Sequence, residues 1–165
     1  MNLTSFYAWL EATSWGTAIR ENELLFPTIE SIHVIAITLV FGTIALVDLR
    51  LLCLTCRDTR VSQLTRPLLT WTWSAFTVAA ISGSLLFSSN AAAYGHNLYF
   101  RIKMLLMLVA GINMLLFHFF SSRTWQSWDH LPDTPTRARV AGAISLMLWI
   151  AVVACGRWIG FTMLS

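Results

Sequence analysis

The chain has 165 residues, of which 56% are hydrophobic and only 12% are charged, and its formal net charge is +3. An ordinary soluble domain carries about 25% charged residues, so this composition excludes a soluble helical bundle with polar outer faces. The basic residues lie beside apolar segments, where anionic lipid is the natural partner. We therefore expect a membrane protein whose main partner is the lipid bilayer, and no nucleic-acid partner.

The N-terminal segment predicts a short helix that lies on the membrane surface and ends around Ser14–Gly16. Phe6, Trp9 and Leu10 fall on one side of it, a pattern typical of interfacial helices. No basic residue precedes an apolar core and no small-residue cleavage site follows, so the segment does not resemble a removable signal peptide. Pro27 then falls in the first turn of the first spanning helix, where its missing N–H costs nothing.

Four apolar segments follow, and they predict membrane spans at residues 28–54, 68–87, 100–120 and 139–160. A helix needs about 17–25 residues to cross a hydrocarbon core of about 30 Å. No segment alternates like a strand, and hydrocarbon admits only helices or closed barrels. The predicted fold class is all-α: one transmembrane domain, an integral membrane four-helix bundle with a short N-terminal interfacial helix.

The basic residues predict the orientation, because positive charge favours the cytoplasmic side. The loops after helices 1 and 3 carry more of them than the opposite side: Arg50, Arg57, Arg60, Arg66, Arg123, Arg137 and Arg139 against Arg20, Arg101, Lys103 and Arg157. Both termini are therefore expected outside, which in a bacterium means the periplasmic side of the inner membrane. Four tryptophans are expected at the inner interface: Trp71, Trp73, Trp125 and Trp128.

The first spanning helix carries Glu30, His33 and Asp48 on one face. Glu30 and Asp48 are about 27 Å apart at the helical rise per residue, so they occupy opposite ends of one stripe. The stripe should face the bundle interior, because a charge that faces lipid costs several kcal/mol.

Each end of the stripe has candidate partners at similar depth. Glu30 and His33 share the outer level with Arg101, Lys103 and Arg157, so we predict a polar cluster with a Glu30–Arg157 pair. Asp48 should pair with an arginine at the inner end. Two further polar residues belong to this structural set: Arg50 beside Asp48, and Asn113, which is expected to donate across a helix interface. These pairs either set helix register or form a functional site. The two alternatives stay open because structural ion pairs and functional sites both shift the pKa values of ionisable groups.

His33 is also a candidate cofactor ligand. A b-type haem in a membrane usually takes two axial imidazoles at similar depth, and His96 lies at the outer level while His118 lies at the inner one. We therefore predict His33 and His96 as a haem b pair; the alternatives are a packing residue and an exposed loop residue. Glu-x-x-His occurs on only one span, which excludes a di-iron bundle.

The cysteines give a weaker signal. Cys53 and Cys56 form a Cys-x-x-C pair near the level of His118, and thiolates with imidazole bind soft metals. Small apolar packing is the alternative, and three cysteines indicate no full disulfide framework. No Ser-His-Asp order, phosphate loop or metalloprotease motif is present.

Together these residues resemble an uncharacterised family of small bacterial four-helix membrane proteins. The motifs are E-S-I-H and V-D-L-R-L-L in helix 1, A-A-Y-x-x-N-x-x-F-R-I-K-M and G-I-N-x-x-x-F-H in helix 3, and G-R-W-I-G in helix 4. The resemblance covers nearly the whole chain and implies these signature positions, without an established activity: Glu30, His33, Asp48, Arg50, Asn97, Arg101, Lys103, Asn113, His118 and Arg157. The bundle distantly resembles copper-resistance and cytochrome b561-type proteins, but their facing histidine pairs are not evident. His96 and Cys-x-x-C lie outside the family pattern.

Three functional hypotheses remain. The leading one is a redox-associated inner-membrane protein that holds haem b or a metal near the periplasmic side, with a membrane redox partner. The second is a non-enzymatic accessory or structural subunit, and the third is a small transporter or proton path that uses Glu30, His33 and Asp48. Enzymatic activity is left open. A homo-oligomer would use helix 2, because its span carries no charge, while Gly156-x-x-x-Gly160 would pack inside the bundle.

Overall fold

Seven helices form the part of the chain that the computed structural model describes, which is residues 2–56, 59–121 and 134–163 without the side chains of residues 118, 120 and 121. They are α1 (Leu3–Glu11), α2 (Ser14–Glu21), α3 (Leu25–Leu51), α4 (Val61–Ser89), α5 (Ala91–His96), α6 (Leu98–Ser121) and α7 (Thr136–Met163). These ranges contain no strand, so the all-α prediction is confirmed. Predictions for Arg57, Arg123, Trp125, Trp128 and the His118 side chain fall outside the described residues.

Four of the helices, α3, α4, α6 and α7, are long and apolar enough to cross a membrane. Their outward faces are apolar where a soluble bundle would carry charge, and the exposed side chains include Ile35, Leu105, Leu108, Met147 and Ile150. These surfaces need a hydrocarbon environment. The predicted membrane bundle is therefore confirmed. Each long helix also extends beyond its predicted span at one end or both; α4, for example, begins at Val61.

The N-terminal segment forms two helices where the sequence predicted one. The break lies at Thr13, whose hydroxyl oxygen accepts the Gly16 N–H at 3.3 Å and so caps α2. Gly16 allows α2 to pack on α4, because a Cβ there would lie 2.8 Å from the Ser88 carbonyl oxygen. The expected loop before α6 also contains a short helix, α5. The Glu11 carboxylate accepts the Ala92 N–H at its start at 2.8 Å.

The spanning helices form two antiparallel pairs. The largest interfaces join α3 with α4 and α6 with α7, and α3 packs on α7 to connect the pairs. We call the end with α1, α2 and α5 the terminal end; α7 also ends there. The opposite end, with the connections after α3 and before α7, is the loop end. A small buried cluster of Leu51, Val61 and Ala138 closes the loop end.

Candidate functional site

Asp48 lies at the loop end, in the interface between the two helix pairs. Asp48 is only 4% exposed, and the Ser145 hydroxyl on α7 is close enough to act on its carboxyl group. The second carboxyl oxygen, Oδ2, is buried and has no hydrogen-bond partner within the described residues. Gly142 permits this close approach, because a Cβ there would lie 3.3 Å from the Asp48 carbonyl oxygen.

Arg50 is buried beside Asp48 but does not bond to it. Its Nε donates to the Thr59 carbonyl oxygen at 2.8 Å, and one terminal nitrogen donates to the Thr134 hydroxyl at 3.4 Å. The guanidinium therefore ties the connection after α3 to the residue just before α7. The predicted pairing of Asp48 with an arginine is not formed in the described part of the chain.

Cys53 lies next to this arginine and is 5% exposed. Its thiol is 3.5 Å from the Thr134 hydroxyl. That hydrogen bond lowers the pKa of the Cys53 thiol, and Arg139 and Arg50 act in the same direction against the opposing effect of burial. Cys56 is exposed. Both cysteines have positive φ, 58° and 50°, which is uncommon for residues other than glycine.

No group of three His, Cys, Asp or Glu side chains that could hold a metal occurs among the described residues. The predicted third ligand, His118, has its side chain outside them. The metal site at Cys53 and Cys56 therefore stays a prediction.

His33 lies at the terminal end of the bundle, packed against α4. Its Nδ1 is 2.9 Å from the Ser82 hydroxyl oxygen. The Ser82 hydroxyl itself donates to the Val78 carbonyl at 2.7 Å, so its oxygen is the acceptor and Nδ1 carries the proton. Gly83 makes room for the ring, because a Cβ there would lie 2.8 Å from His33 Cε1. Nε2 is left outside this hydrogen bond.

Lys103 on α6 lies at a similar depth. It is close enough to His33 for its charge to act on the imidazole, and its Nζ would be 3.7 Å from a Cβ on Gly156 of α7. His33, Ser82, Lys103 and Gly156 therefore bring one residue from each spanning helix to the same level. We call these four residues the terminal-end site.

Among the residues that the structure describes, no ion pair joins the other members of the predicted outer cluster to this site. The Arg157 guanidinium lies over the Phe161 ring, 4.8 Å from its centroid, and Arg101 donates to a backbone carbonyl of α5 at 2.8 Å. Glu30 is exposed, and no ion pair with Arg157 is formed within the described residues. Burial, with a smaller contribution from Glu30, raises the pKa of the Tyr94 phenol.

The two histidines predicted as haem ligands have separate surroundings. His96 ends α5, is exposed, and places its Nδ1 2.7 Å from the Ala92 carbonyl oxygen. The His96 imidazole thus lies at the surface, with its ring centroid 6.0 Å from that of the Tyr7 ring. A groove of about 440 Å³ between α4 and the N-terminal helices is lined by neither histidine. The described geometry gives a haem between His33 and His96 no support, and it stays a prediction.

Several other polar side chains cross helix interfaces. Asn113 donates to the Ala141 carbonyl at 3.1 Å, as expected from the sequence. Two further bonds were not expected: Thr72 donates to the Thr43 hydroxyl, and Asn97 to the Thr162 hydroxyl, each at 2.8 Å. Ser82 and Ser145 were also missed as partners. The sequence feature that could have identified them is a serine in an apolar span at the same depth as an ionisable residue on another span.

The family match extends over almost all of these residues. The chain belongs to the Family of unknown function (DUF6644). The family model matches residues 6–162, which include Asp48, its partner Ser145 and the terminal-end site. The resemblance to an uncharacterised family of membrane proteins is thus confirmed. No curated protein and no solved structure matches the chain.

Proposed function

We propose that this protein is a small proton-coupled membrane transporter in which the Asp48 carboxyl binds and releases the proton. The single observation that carries the proposal is the buried Asp48 Oδ2 without a partner. A buried carboxylate oxygen without a donor is costly, whereas a bound proton removes the charge. Ionisable residues inside membrane spans commonly mark ion and proton pathways.

The position of Asp48 supports coupling between proton binding and helix movement. The carboxyl group lies where α3 packs on α7, and that interface connects the α3/α4 pair with the α6/α7 pair. A charged Asp48 favours arrangements that supply more donors or water, while a neutral one tolerates the close packing that Gly142 allows. A proton with different affinities for two arrangements shifts the population between them.

In this proposal the protein is a multi-pass protein of the bacterial inner membrane, with the terminal end on the periplasmic side. The excess of basic residues at the loop end supports that orientation.

A second candidate is the accessory or structural subunit. It is favoured by the hydrogen bonds that side chains make between helices: His33–Ser82, Thr72–Thr43, Asn113–Ala141 and Asn97–Thr162. Such bonds fix helix register, each contributing about 0.6 kcal/mol on average in membranes. This candidate gives no reason for the unpartnered Asp48 oxygen.

Distance measurements between the helix pairs distinguish the two candidates. Spin labels on exposed Ile81 of α4 and Leu105 of α6, in a protein whose native cysteines are replaced by serine, report the separation of the pairs. A transporter should show a distance distribution that shifts between acidic and alkaline buffer. Asp48→Asn should abolish the shift, while the exposed acid variant Glu23→Gln should keep it. A distribution that does not respond to pH in the unsubstituted background would overturn the proposal and favour the structural role.

A further inference from the structure

The groove of about 440 Å³ between α4 and the N-terminal helices has no part in the proposed proton transport. Its floor follows α4 from Ala80 to Ser88, a length of about 12 Å at the helical rise per residue. Leu10 of α1 and Trp15 of α2 form its other wall. The groove therefore starts at the N-terminal helices and runs along a spanning helix toward the membrane interior.

The lining of the groove suits a hydrocarbon chain. The Ser84 hydroxyl donates to the Ala80 carbonyl oxygen at 2.7 Å. The Ser88 hydroxyl donates to the Leu85 carbonyl oxygen at 2.8 Å, so both serines use their O–H groups within α4. Ile81, also in the lining, is 59% exposed, so the groove opens onto the apolar outer surface of this spanning helix. An acyl chain of the bilayer can therefore enter it without removing a bound water from a free donor.

The size of the groove favours a lipid chain over a helix of a second copy of the protein. An α-helix with its side chains is about 10–12 Å wide, so a length of about 12 Å occupies roughly 900–1,400 Å³. That is at least about twice the volume of the groove. A helix could place only its side chains there, whereas an acyl chain is much thinner and can lie along the whole floor.

The charged side chains beside the groove indicate which lipid headgroup fits. Residues 3–24 carry one arginine, Arg20, and three glutamates, Glu11, Glu21 and Glu23, which gives a net side-chain charge of −2. Arg20 is exposed, and its Nη1 donates to the Ser89 carbonyl oxygen at 3.3 Å, next to the end of the groove. A guanidinium has five N–H donors, so it can also bind a phosphate. A headgroup that adds an ammonium to its phosphate complements this surface, whereas a headgroup with net negative charge is repelled.

We propose that the groove binds one acyl chain of a zwitterionic phospholipid, from the leaflet at the terminal end, whose phosphate lies at Arg20. This lipid site is at the opposite end of the bundle from Asp48 and does not depend on proton transport. A chain in the groove contacts α1, α2 and α4 together, so the bound lipid also holds the N-terminal helices against the bundle.

Native mass spectrometry of the purified protein in nonionic detergent, titrated with phosphatidylethanolamine, tests the site directly. We expect saturable binding of a single lipid molecule. Ser84→Phe fills the groove and should weaken the apparent affinity about tenfold or more, because the chain loses the burial of several methylene groups. Ser31→Phe is the matched control: Ser31 is an exposed serine of α3 whose hydroxyl also donates within its own helix, to the Pro27 carbonyl oxygen at 2.7 Å. It should bind the lipid like the parent.

A second pair of variants removes apolar surface instead of adding it. Trp15→Ala takes away one wall of the groove and should also weaken lipid binding. Trp9→Ala, which removes an exposed tryptophan of α1 outside the groove, should not. This pair tests the site even if Ser84→Phe does not fold, which circular dichroism of the helices would reveal.

Three results would contradict the lipid site. Each groove variant could bind phosphatidylethanolamine as tightly as its control, which would leave the groove without a bound chain. The anionic lipid phosphatidylglycerol could bind as tightly as phosphatidylethanolamine, against the charge argument at Arg20. A dimer that Ser84→Phe dissociates and added lipid does not would instead identify a second copy of the protein as the occupant.

Discussion

The contact between His33 and Gly83 predicts a large effect from a single methyl group. In Gly83→Ala, the new Cβ would lie 2.8 Å from His33 Cε1, well inside ordinary van der Waals contact. Overpacking of this kind costs about 1–3 kcal/mol, and displacement of the ring also weakens its hydrogen bond to Ser82, worth about 0.5–1.5 kcal/mol. The higher helix propensity of alanine returns up to about 1 kcal/mol. We therefore expect a net destabilisation of about 0.5–4.5 kcal/mol.

Gly42→Ala is the matched control, because nothing lies within 4 Å of a Cβ at that position on α3. It should be neutral, or stabilising by up to about 1 kcal/mol. The free energy of unfolding of both variants can be measured by titration with a denaturing detergent in mixed micelles. In a His33→Ala background the added methyl group of Gly83→Ala meets no ring, so its cost should largely disappear in a double-mutant cycle. Equal effects of Gly83→Ala with and without the His33 ring would refute the reasoning.

Three further predictions use other contacts. Gly16→Ala places a methyl group 2.8 Å from a backbone carbonyl of α4; backbone yields less readily than a side chain, so α2 should detach, as seen by faster proteolysis of the N-terminal helices. The Thr134 hydrogen bond lowers the pKa of the Cys53 thiol. In a protein that keeps only this cysteine, the alkylation rate should therefore rise with pH around a midpoint below that of free cysteine, and Thr134→Val should raise this midpoint pH. Burial and Glu30 raise the pKa of Tyr94, so its phenol should titrate above free tyrosine, and Glu30→Gln should lower the midpoint.

Each of these measurements has a result that contradicts its contact. A Gly16→Ala protein that resists proteolysis like the parent would show that α2 does not pack closely on α4. A Cys53 alkylation profile unchanged by Thr134→Val would remove the hydroxyl as the cause of the lower pKa. A Tyr94 titration at or below that of free tyrosine would show that the phenol is not buried.

The fold could be predicted from the sequence because hydrocarbon leaves few choices. Long apolar segments without alternation must be helices, and a composition with 12% charge leaves no polar outer face. The short elements were harder. The break between α1 and α2 depends on the local cap at Thr13, and α5 depends on the Glu11 carboxylate, which comes from a distant part of the chain. A helix start that is stabilised by a side chain from a distant part of the chain cannot be recognised from the local pattern of hydrophobic residues.

The candidate sites could be predicted only in part. Helical spacing correctly put Glu30, His33 and Asp48 on one helix, yet spacing does not determine partners. Charge complementarity suggested Glu30–Arg157, whereas the Arg157 guanidinium lies over a ring on its own helix and His33 bonds to a serine. Rotation of each helix about its axis decides these contacts, and small polar residues such as Ser145 are hard to distinguish in sequence from residues that only allow close packing.

Proton binding by Asp48 is the central claim, and difference infrared spectroscopy of the protein in lipid tests it most directly. A protonated carboxylic acid has a carbonyl stretching band separate from that of a carboxylate. We predict a pH-dependent band of this type, shifted by deuterium exchange, absent in Asp48→Asn and retained in Glu23→Gln. A spectrum of Asp48→Asn with the same band as the parent, or a parent spectrum without any such band at any pH at which the protein stays folded, would contradict the claim.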